Sequence, residues 1–241
     1  MEIQTNKDKA LVFDYGATLD TNGVHWYHIF AQEHKKHNSF LSEQQMRDAY
    51  VYGERTLSAS HSVESMHDFK DTLLIKVGLQ YDYLESQGII LNSMRHVEEI
   101  AESCYLFAKQ NVMKVKPMLK DFSSGYKMAL VSNFYGNLEE VLRDFEIREY
   151  FDIVVESAIV GISKPDKRLL QYALDKINVS PIDTIMIGDS YKKDIVPAKQ
   201  LGCSTIWLKG KSWMGNPTNT PFADEIISDI SDLKRIIVKE T

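Results

Sequence analysis

The chain has 241 residues, of which 44% are hydrophobic and 26% are charged, and its formal net charge is −6 at pH 7. This composition is typical of a globular protein, and the length suits one large domain or a core with an insertion. The negative charge argues against nucleic acid or a membrane surface as a partner, because either would require a basic face on the protein.

The beginning of the chain is polar and has no apolar signal core. No uncharged stretch reaches the about 18 residues that a membrane-spanning helix needs. The two cysteines, Cys104 and Cys203, lie far apart and have no CxxC spacing, which favours reduced thiols over a disulfide. We therefore expect a cytoplasmic protein.

An apolar run near the start of the chain, Ala10–Phe13, is followed directly by Asp14. In an open α/β sheet such a run is a buried strand, and the chemistry lies beyond its carboxyl end. The small residues Gly16 and Ala17 are expected to let the backbone turn tightly there, close to a ligand. Thr18 adds a hydroxyl to the same turn.

Residues 21–115 have their apolar side chains at helical spacing. Ser42 and Ser62, each followed by a glutamate, are typical of helix starts. From Pro117 onward strands and helices alternate, which predicts right-handed crossovers and a parallel sheet. The predicted helices are 24–37, 43–59, 64–77, 94–110, 137–145, 166–177, 192–201 and 231–239, and the later strands are 127–132, 151–155, 184–187, 204–208 and 225–227.

The predicted fold class is therefore α/β, with a doubly wound parallel sheet and an inserted all-helical segment.

Polar side chains follow several of the predicted strands and form a set that suits phosphoryl transfer. An aspartate can attack phosphorus, Mg²⁺ prefers carboxylate ligands, and a lysine and a hydroxyl can neutralise the transferred oxygens. The set comprises Asp14, Thr18, Ser132, Asn133, Lys164, Asp189, Ser190 and Asp194.

Four motifs contain these residues: LVFDYGAT at 11–18, LVSN at 130–133, SKPD at 163–166 and IGDSYKKD at 187–194. With these motifs in this order, the chain resembles the haloacid dehalogenase-like hydrolases over its whole length. The resemblance implies a Rossmann-like core formed by residues 1–20 and 116–241. It also implies that residues 21–115 are a cap domain, a lid that excludes water and selects the substrate.

The resemblance further assigns roles to single residues, with Mg²⁺ as the cofactor. Asp14 is implied to be the nucleophile that forms an aspartyl-phosphate. The residues assigned to catalysis are Asp14, Thr18, Ser132 and Lys164, those assigned to the metal are Asp14, Gly16 through its backbone carbonyl, Asp189 and Asp194, and those assigned to substrate binding are Asn133 and Ser190.

Position 16 departs from the pattern of the family's phosphatases, which have there a second aspartate that protonates the leaving group. In this chain the residue is Gly16. A positioned general acid contributes about 10²–10⁴-fold to the rate. We therefore expect esters with acidic leaving groups to react best, unless the cap or the substrate supplies a proton.

The function expected from the sequence is that of a Mg²⁺-dependent phosphatase acting on a small phosphorylated metabolite. One alternative is a phosphonatase-type hydrolase of C–P bonds, which uses a Schiff-base lysine from the cap. The other is a catalytically silent protein that binds a phosphorylated ligand or regulates a partner. Candidates for the Schiff-base lysine are Lys35, Lys70 and Lys76, and candidates for the inner surface of the cap are Tyr50, Tyr52 and Arg55.

Overall fold

The computed structural model describes residues 8–60, 62–91 and 94–237. Its centre is a six-stranded sheet in which all paired strands are parallel. The strands are β1 Ala10–Phe13, β2 Lys127–Ser132, β3 Ile153–Glu156, β4 Thr184–Gly188, β5 Ser204–Leu208 and β6 Glu225–Ile227. Their spatial order is β3-β2-β1-β4-β5-β6. The predicted doubly wound α/β fold is confirmed.

The first strand is buried on both faces because it lies in the middle of the sheet, between β2 and β4. Ala10 and Val12 belong to the apolar core on one side of the sheet, and Leu11 and Phe13 to the core on the other side. Successive side chains of a strand point to opposite faces. Burial on both faces therefore explains why this strand is a continuous apolar run in the sequence.

Between β1 and β2 the described chain is mainly helical, as predicted. The helices are α1 Trp26–His37, α2 Glu43–Ser60, α3 Phe69–Ser86 and α4 Met94–Gly125. The prediction of 64–77 for the third helix was wrong at both ends. Asp68 is the N-cap of this helix and forms a capping box with Asp71, so the free amides of the first turn are satisfied there and not near Ser62.

The fourth helix is longer than the predicted 94–110 and contains Pro117. A proline inside a helix removes one backbone hydrogen bond and costs about 3 kcal/mol. Here Val115, Met118 and Leu119 are all buried in the core that this helix shares with the sheet, and their packing outweighs that cost. The boundary predicted between residues 115 and 116 falls inside this helix, and the division into core and cap stays a prediction.

In the described part of the chain five further helices follow β2, namely α5 Leu138–Asp144, α6 Ser157–Val160, α7 Lys167–Ile177, α8 Val196–Leu201 and α9 Leu233–Ile237. The core on one face of the sheet contains residues of α7 and α8. The core on the other face contains residues of α4, α5 and α9 and continues into the helical segment between β1 and β2. Both faces are thus covered, as an all-parallel sheet requires.

Smaller differences from the predictions occur late in the chain. The helix predicted at 192–201 begins with a π-helical turn, Tyr191–Ile195, before α8, and its C-cap is Gly202, which has a left-handed backbone. The last predicted helix, 231–239, consists of a 3₁₀ turn and α9, and residues 238 and 239 lie outside the described residues.

Two of the predictions concern a membrane-spanning helix and a disulfide bond. Within the described ranges, no helix combines the length and the apolar character needed to cross a membrane. Cys104 and Cys203 are both buried and free of disulfide bonds.

Candidate active site

The site lies where the direction of the strand order reverses. In a sheet of this order a crevice opens beyond the carboxyl ends of β1 and β4, and ligands of such folds bind there. Asp14 follows β1 and Asp189 follows β4, so the topology brings these carboxylates to one crevice. The backbone amide of Asp14 donates to the carbonyl oxygen of Ile187 at 2.9 Å, which continues the ladder to this edge.

Asp14 is buried and accepts hydrogen bonds from three predicted site residues. The Nζ of Lys164 lies 2.6 Å and the Oγ of Ser132 lies 3.0 Å from its Oδ1. The Oγ1 of Thr18 is 3.3 Å from its Oδ2. Asp14 is therefore held at both oxygens by groups that can also contact a transferred phosphoryl group.

Lys164 connects two of the carboxylates. Its ammonium donates to Asp14 and to the Oδ1 of Asp194 at 2.6 Å each, and to the carbonyl oxygen of Val131 at 3.1 Å. Burial disfavours the ammonium, but the two carboxylates outweigh burial and raise the pKa of Lys164. All three of its N–H bonds are used, and the lysine is a fixed positive charge in the floor of the site.

The carboxylates of Asp14, Asp189 and Asp194 each place an oxygen within 4.8 Å of the others. Burial and then the charges of Asp14 and Asp194 raise the pKa of Asp189 well above its usual range. Burial also raises the pKa of Asp194, and the ammonium of Lys164 opposes this shift. Three carboxylates around one ammonium leave an excess of negative charge, and hard oxygen ligands in this number fit Mg²⁺.

The loops that hold these groups are tied together by side chains. The Oγ1 of Thr18 accepts a hydrogen bond from the amide of Asp189 at 3.0 Å, which joins the turns after β1 and β4. Asn133 accepts from the amide of Lys164 at 2.8 Å and donates to its carbonyl oxygen at 3.0 Å. The side chain of Asn133 thus positions the lysine loop. Ser190 donates its amide to Asp194 at 3.0 Å.

The turn after β1 contains a non-glycine residue in a left-handed conformation. Ala17, rather than Gly16, has the left-handed backbone, with φ of 67°. The Oδ1 of Asp20 accepts from the amide of Ala17 at 2.7 Å, and its Oδ2 accepts from the Nε1 of Trp26 at 2.8 Å. Asp20 therefore holds the turn and joins it to α1, a role that the motif pattern did not indicate. Burial raises the pKa of Asp20 to about 7.

A cavity of about 590 Å³ lies over the carboxylate cluster. Nine residues are assigned by motif, and all of them except Thr18 line this cavity: Asp14, Gly16, Ser132, Asn133, Lys164, Asp189, Ser190 and Asp194. The helical segment between β1 and β2 forms the opposite wall, which includes His25, Tyr50, Glu54 and Lys76.

Only some of the residues proposed for the inner surface of the cap, and only one of the candidate Schiff-base lysines, reach this cavity. Tyr50 and Lys76 line it, whereas Tyr52, Arg55, Lys35 and Lys70 are exposed and do not. Lys70 forms an ion pair with Glu102 on the surface. The sequence pattern did not single out Glu54, because nothing local distinguishes a helix face that lines a cavity from one that packs in a core. It also did not single out Tyr135, which lies on the loop after β2.

A second group of potential metal ligands among the described residues is His37, His96 and Glu99. It lies at the surface between α1 and α4, and Glu99 is already paired, with Arg95 at 2.9 Å and with His37 at 3.5 Å. None of the three residues lines the cavity over the carboxylate cluster.

Residues 85–208, which are 124 of the 241 in the chain, match the family described as haloacid dehalogenase-like hydrolase. The match covers more than half of the chain. The chain belongs to this family of hydrolases. The matched range includes the site residues from Ser132 to Asp194, whereas Asp14 and the first motif lie before it.

Individual proteins of known name are similar to this hydrolase over part of its length. A glyceraldehyde 3-phosphate phosphatase of Pyrococcus furiosus is 30% identical over 128 residues, which are 52% of this chain and 53% of that protein. The pyrimidine 5'-nucleotidase YjjG of Escherichia coli is 27% identical over 149 residues, 58% of this chain and 64% of that protein. The similarity thus spans less than two thirds of either relative.

The fold extends further than the sequence similarity. The solved structure of the haloacid dehalogenase-like hydrolase YfnB of Bacillus subtilis superposes with a TM-score of 0.59. It covers 97% of this chain and 100% of its own, at 16% sequence identity. The helical segment and the sheet are therefore shared with a protein of the same fold.

Proposed function

We propose that this hydrolase is a Mg²⁺-dependent phosphatase that acts on a small phosphorylated metabolite through an aspartyl-phosphate at Asp14. The observation that carries the proposal is the environment of the Asp14 carboxylate. Lys164 and Ser132 hold its Oδ1 at 2.6 and 3.0 Å, within reach of a bound phosphoryl group. A positioned carboxylate beside a fixed cation is what nucleophilic attack on phosphorus requires.

The reaction divides into two displacements at phosphorus. In the first, an oxygen of Asp14 forms a bond to phosphorus while the bond to the leaving group breaks. In the second, water attacks the phosphorus and Asp14 is released as a carboxylate. Lys164 and Ser132 stabilise the negative charge on the transferred oxygens during both steps, and the Thr18 hydroxyl orients the second oxygen of Asp14.

A magnesium ion would be held by Asp14, Asp189 and Asp194, with the backbone carbonyl of Gly16 as a further ligand. When bound, the ion supplies positive charge that neutralises the phosphoryl oxygens. The excess of carboxylates over ammonium groups in this buried cluster supports a divalent cation, because burial of uncompensated negative charge is costly.

The substrate class rests on the size of the cavity and on the names of the relatives. A volume of about 590 Å³ is in the range of small-molecule sites. The two similar proteins are named for glyceraldehyde 3-phosphate and for pyrimidine 5'-nucleotides, and both names denote small phosphorylated compounds. The net charge of −6 argues against nucleic acid as substrate, and we propose that the protein acts in the cytoplasm.

A phosphonatase-type reaction is the first alternative, and it needs a lysine whose amine is neutral and can attack a carbonyl carbon. Of the three candidate lysines, only Lys76 lines the cavity. Its Nζ lies 2.7 Å from Glu54, and this carboxylate keeps it charged and hence not nucleophilic. The ion pair favours the phosphatase. Borohydride trapping with a phosphonoaldehyde tests the alternative, since only a Schiff base would leave a covalent adduct.

Phosphate release separates the phosphatase from a silent binding protein, the second alternative. We expect release from at least one member of a panel of phosphorylated metabolites, dependent on Mg²⁺ and lost in Asp14→Asn, which is nearly isosteric but not nucleophilic. Asp175→Asn is the control, because Asp175 is exposed on α7 and its carboxylate accepts a hydrogen bond from Gln171. A ligand that raises the melting temperature without any phosphate release would instead support the binding protein.

A further inference from the structure

Three polar side chains from separate parts of the chain form a closed triangle in the wall of the cavity. Lys76 of α3 places its Nζ 2.7 Å from the Oε1 of Glu54, which lies on α2. The same Nζ donates to the hydroxyl of Tyr135 at 3.0 Å, and Tyr135 donates to the Oε2 of Glu54 at 2.7 Å. Tyr135 lies on the loop after β2, three residues beyond Ser132.

The triangle is built into the wall and is not a surface ion pair. Lys76 is only 7% exposed. Its ammonium also lies 5.6 Å from the centre of the Phe30 ring and 5.0 Å from that of Tyr135. The helices α2 and α3 pack closely beside it: a Cβ built on Gly53 would lie at van der Waals distance, 3.4 Å, from the Cγ of Gln80. Charges are buried in this way only when they are paired and hydrogen-bonded.

Lys76 differs from Lys164 in one chemical respect. The three N–H bonds of Lys164 all have acceptors in the floor of the site. Lys76 has two partners, Glu54 and Tyr135, and no third acceptor among the residues that the structure describes. One N–H bond of Lys76 is therefore available to a ligand in the cavity that both lysines line.

No carboxyl group assigned by motif is free to protonate a departing oxygen. Gly16 has no side chain, and the carboxylates of Asp14, Asp189 and Asp194 are engaged with Lys164 or needed for the cation. An alkoxide is a poor leaving group unless it is protonated as it departs.

Other protic groups on the helical wall suit this task less well. Burial lowers the pKa of His25 to about 4, so its imidazole is neutral at pH 7, and burial raises the pKa of Tyr50 well above its usual range. Both therefore face the cavity at pH 7 without a positive charge. Lys76 alone among these three brings an ammonium to the cavity.

We propose that Lys76, held by Glu54 and Tyr135, is the residue that protonates the leaving oxygen of the substrate. The inference rests on the proposed phosphatase function. In the first step the bond between phosphorus and the ester oxygen breaks, and that oxygen keeps the electron pair and takes a proton from Nζ. In the second step the attacking water gives a proton to the neutral amine of Lys76, and the bond to Asp14 breaks. The net reaction converts ester and water to alcohol and phosphate.

The test compares esters of similar size whose leaving groups differ in acidity: nitrophenyl, phenyl and benzyl phosphate. Lys76→Met removes the proton donor and keeps the length of the side chain. We expect kcat on benzyl phosphate to fall by about 10²–10⁴-fold, the usual contribution of a general acid. Nitrophenyl phosphate, which leaves as a stable anion, should lose little. Lys70→Met is the matched control on the same helix, since Lys70 pairs with Glu102 at the surface.

Two further variants guard against a purely structural explanation. Lys76→Met leaves the Glu54 carboxylate unpaired, so the double variant Glu54→Gln with Lys76→Met removes the buried charge as well and should show the same dependence on the leaving group. Lys76→Arg keeps a positive charge that does not transfer a proton readily. We expect it to behave like Lys76→Met on benzyl phosphate.

Equal losses on the three esters in the folded variants, or no loss, would overturn the proposal for Lys76 while Asp14-dependent phosphate release continued to support the phosphatase. Restoration of benzyl phosphate turnover by Lys76→Arg would also overturn it, since charge alone would then suffice. If the wild type releases no phosphate from any ester or metabolite, the proposed function fails and the role of Lys76 fails with it.

Discussion

Gly188 and Asp194 are in direct contact, and the contact leaves no room for a side chain at position 188. A Cβ built on Gly188 would lie 2.6 Å from the Cβ, Cγ and Oδ2 of Asp194. The Asp194 carboxylate cannot move aside freely, because it is buried and bonded to Lys164 and to the amide of Ser190. The glycine of the last motif thus sets the position of a proposed metal ligand.

The variant Gly188→Ala should therefore displace Asp194. We expect it to lower the free energy of unfolding by about 1–3 kcal/mol, as overpacking of a core does, and to weaken Mg²⁺ binding. Urea unfolding and calorimetric titration with Mg²⁺ measure the two effects. Gly78→Ala is the control, because a Cβ on Gly78 in α3 meets nothing within 4 Å; it should stabilise the helix by about 0.5–1 kcal/mol. An unchanged Mg²⁺ affinity in Gly188→Ala would contradict the assignment of Asp194.

Asp189→Asn should have opposite effects on stability with and without the metal. Burial and the charges of Asp14 and Asp194 raise the pKa of Asp189 in the folded protein, so its ionised form costs stability when no cation is bound. In EDTA we expect the variant to melt at a higher temperature than the wild type, by about 2–4 °C per kcal/mol gained. Mg²⁺ should raise the melting temperature of the wild type only. A Mg²⁺-induced shift of equal size in the variant would contradict the role of Asp189.

The buried histidine of α1 predicts a loss of stability in weak acid. Burial lowers the pKa of His34 to about 4, from 6.5, although Gln80 accepts or donates a hydrogen bond at its Nε2. Between these pH values the unfolded chain binds the proton and the folded chain does not, so stability falls as pH decreases through this range. From pH 7 to pH 5 this single group should lower the free energy of unfolding by about 2 kcal/mol.

Urea unfolding of His34→Phe at the two pH values isolates this effect. The phenyl ring can keep the stacking on Tyr81, whose ring centre lies 5.3 Å from that of His34. We expect the variant to lose about 2 kcal/mol less than the wild type between pH 7 and pH 5. An equal loss in both proteins would show that other groups account for the pH dependence.

The variant Gly16→Asp adds the carboxyl group that position 16 lacks and tests whether it can protonate the leaving group. The backbone permits the change, because the φ of Gly16 is not positive and a Cβ there meets nothing within 4 Å. Circular dichroism should therefore match that of the wild type. In the Lys76→Met background we expect the new carboxyl group to restore part of the turnover of benzyl phosphate, up to about 10²–10⁴-fold.

The same substitution should change the turnover of nitrophenyl phosphate little, because a nitrophenolate leaves without protonation. Equal gains on both esters would indicate that the carboxylate acts on the nucleophile or the metal instead. In the presence of Lys76 the gain on benzyl phosphate should be smaller, since a proton donor is already there.

The sequence alone determined the sheet and the residues at its active edge. Continuous apolar runs such as Ala10–Phe13 predict strands buried on both faces, and alternation with helices predicts that the strands are parallel. Parallel strands end at one edge, so Asp14, Ser132 and Asp189 had to meet although more than a hundred residues separate the first from the others. Local patterns suffice here because topology converts strand ends into neighbours.

Only the tertiary structure decided which side chains close the site from above. Glu54, Lys76 and Tyr135 have no common spacing, and their contact depends on how α2 and α3 pack on each other and on the loop after β2. The same holds for Pro117, which the burial of its neighbours keeps within α4, and for Ala17, whose left-handed backbone is held by Asp20. In each case packing or a side-chain hydrogen bond supplies more free energy than the local preference of the sequence, and that energy is absent until the chain has folded.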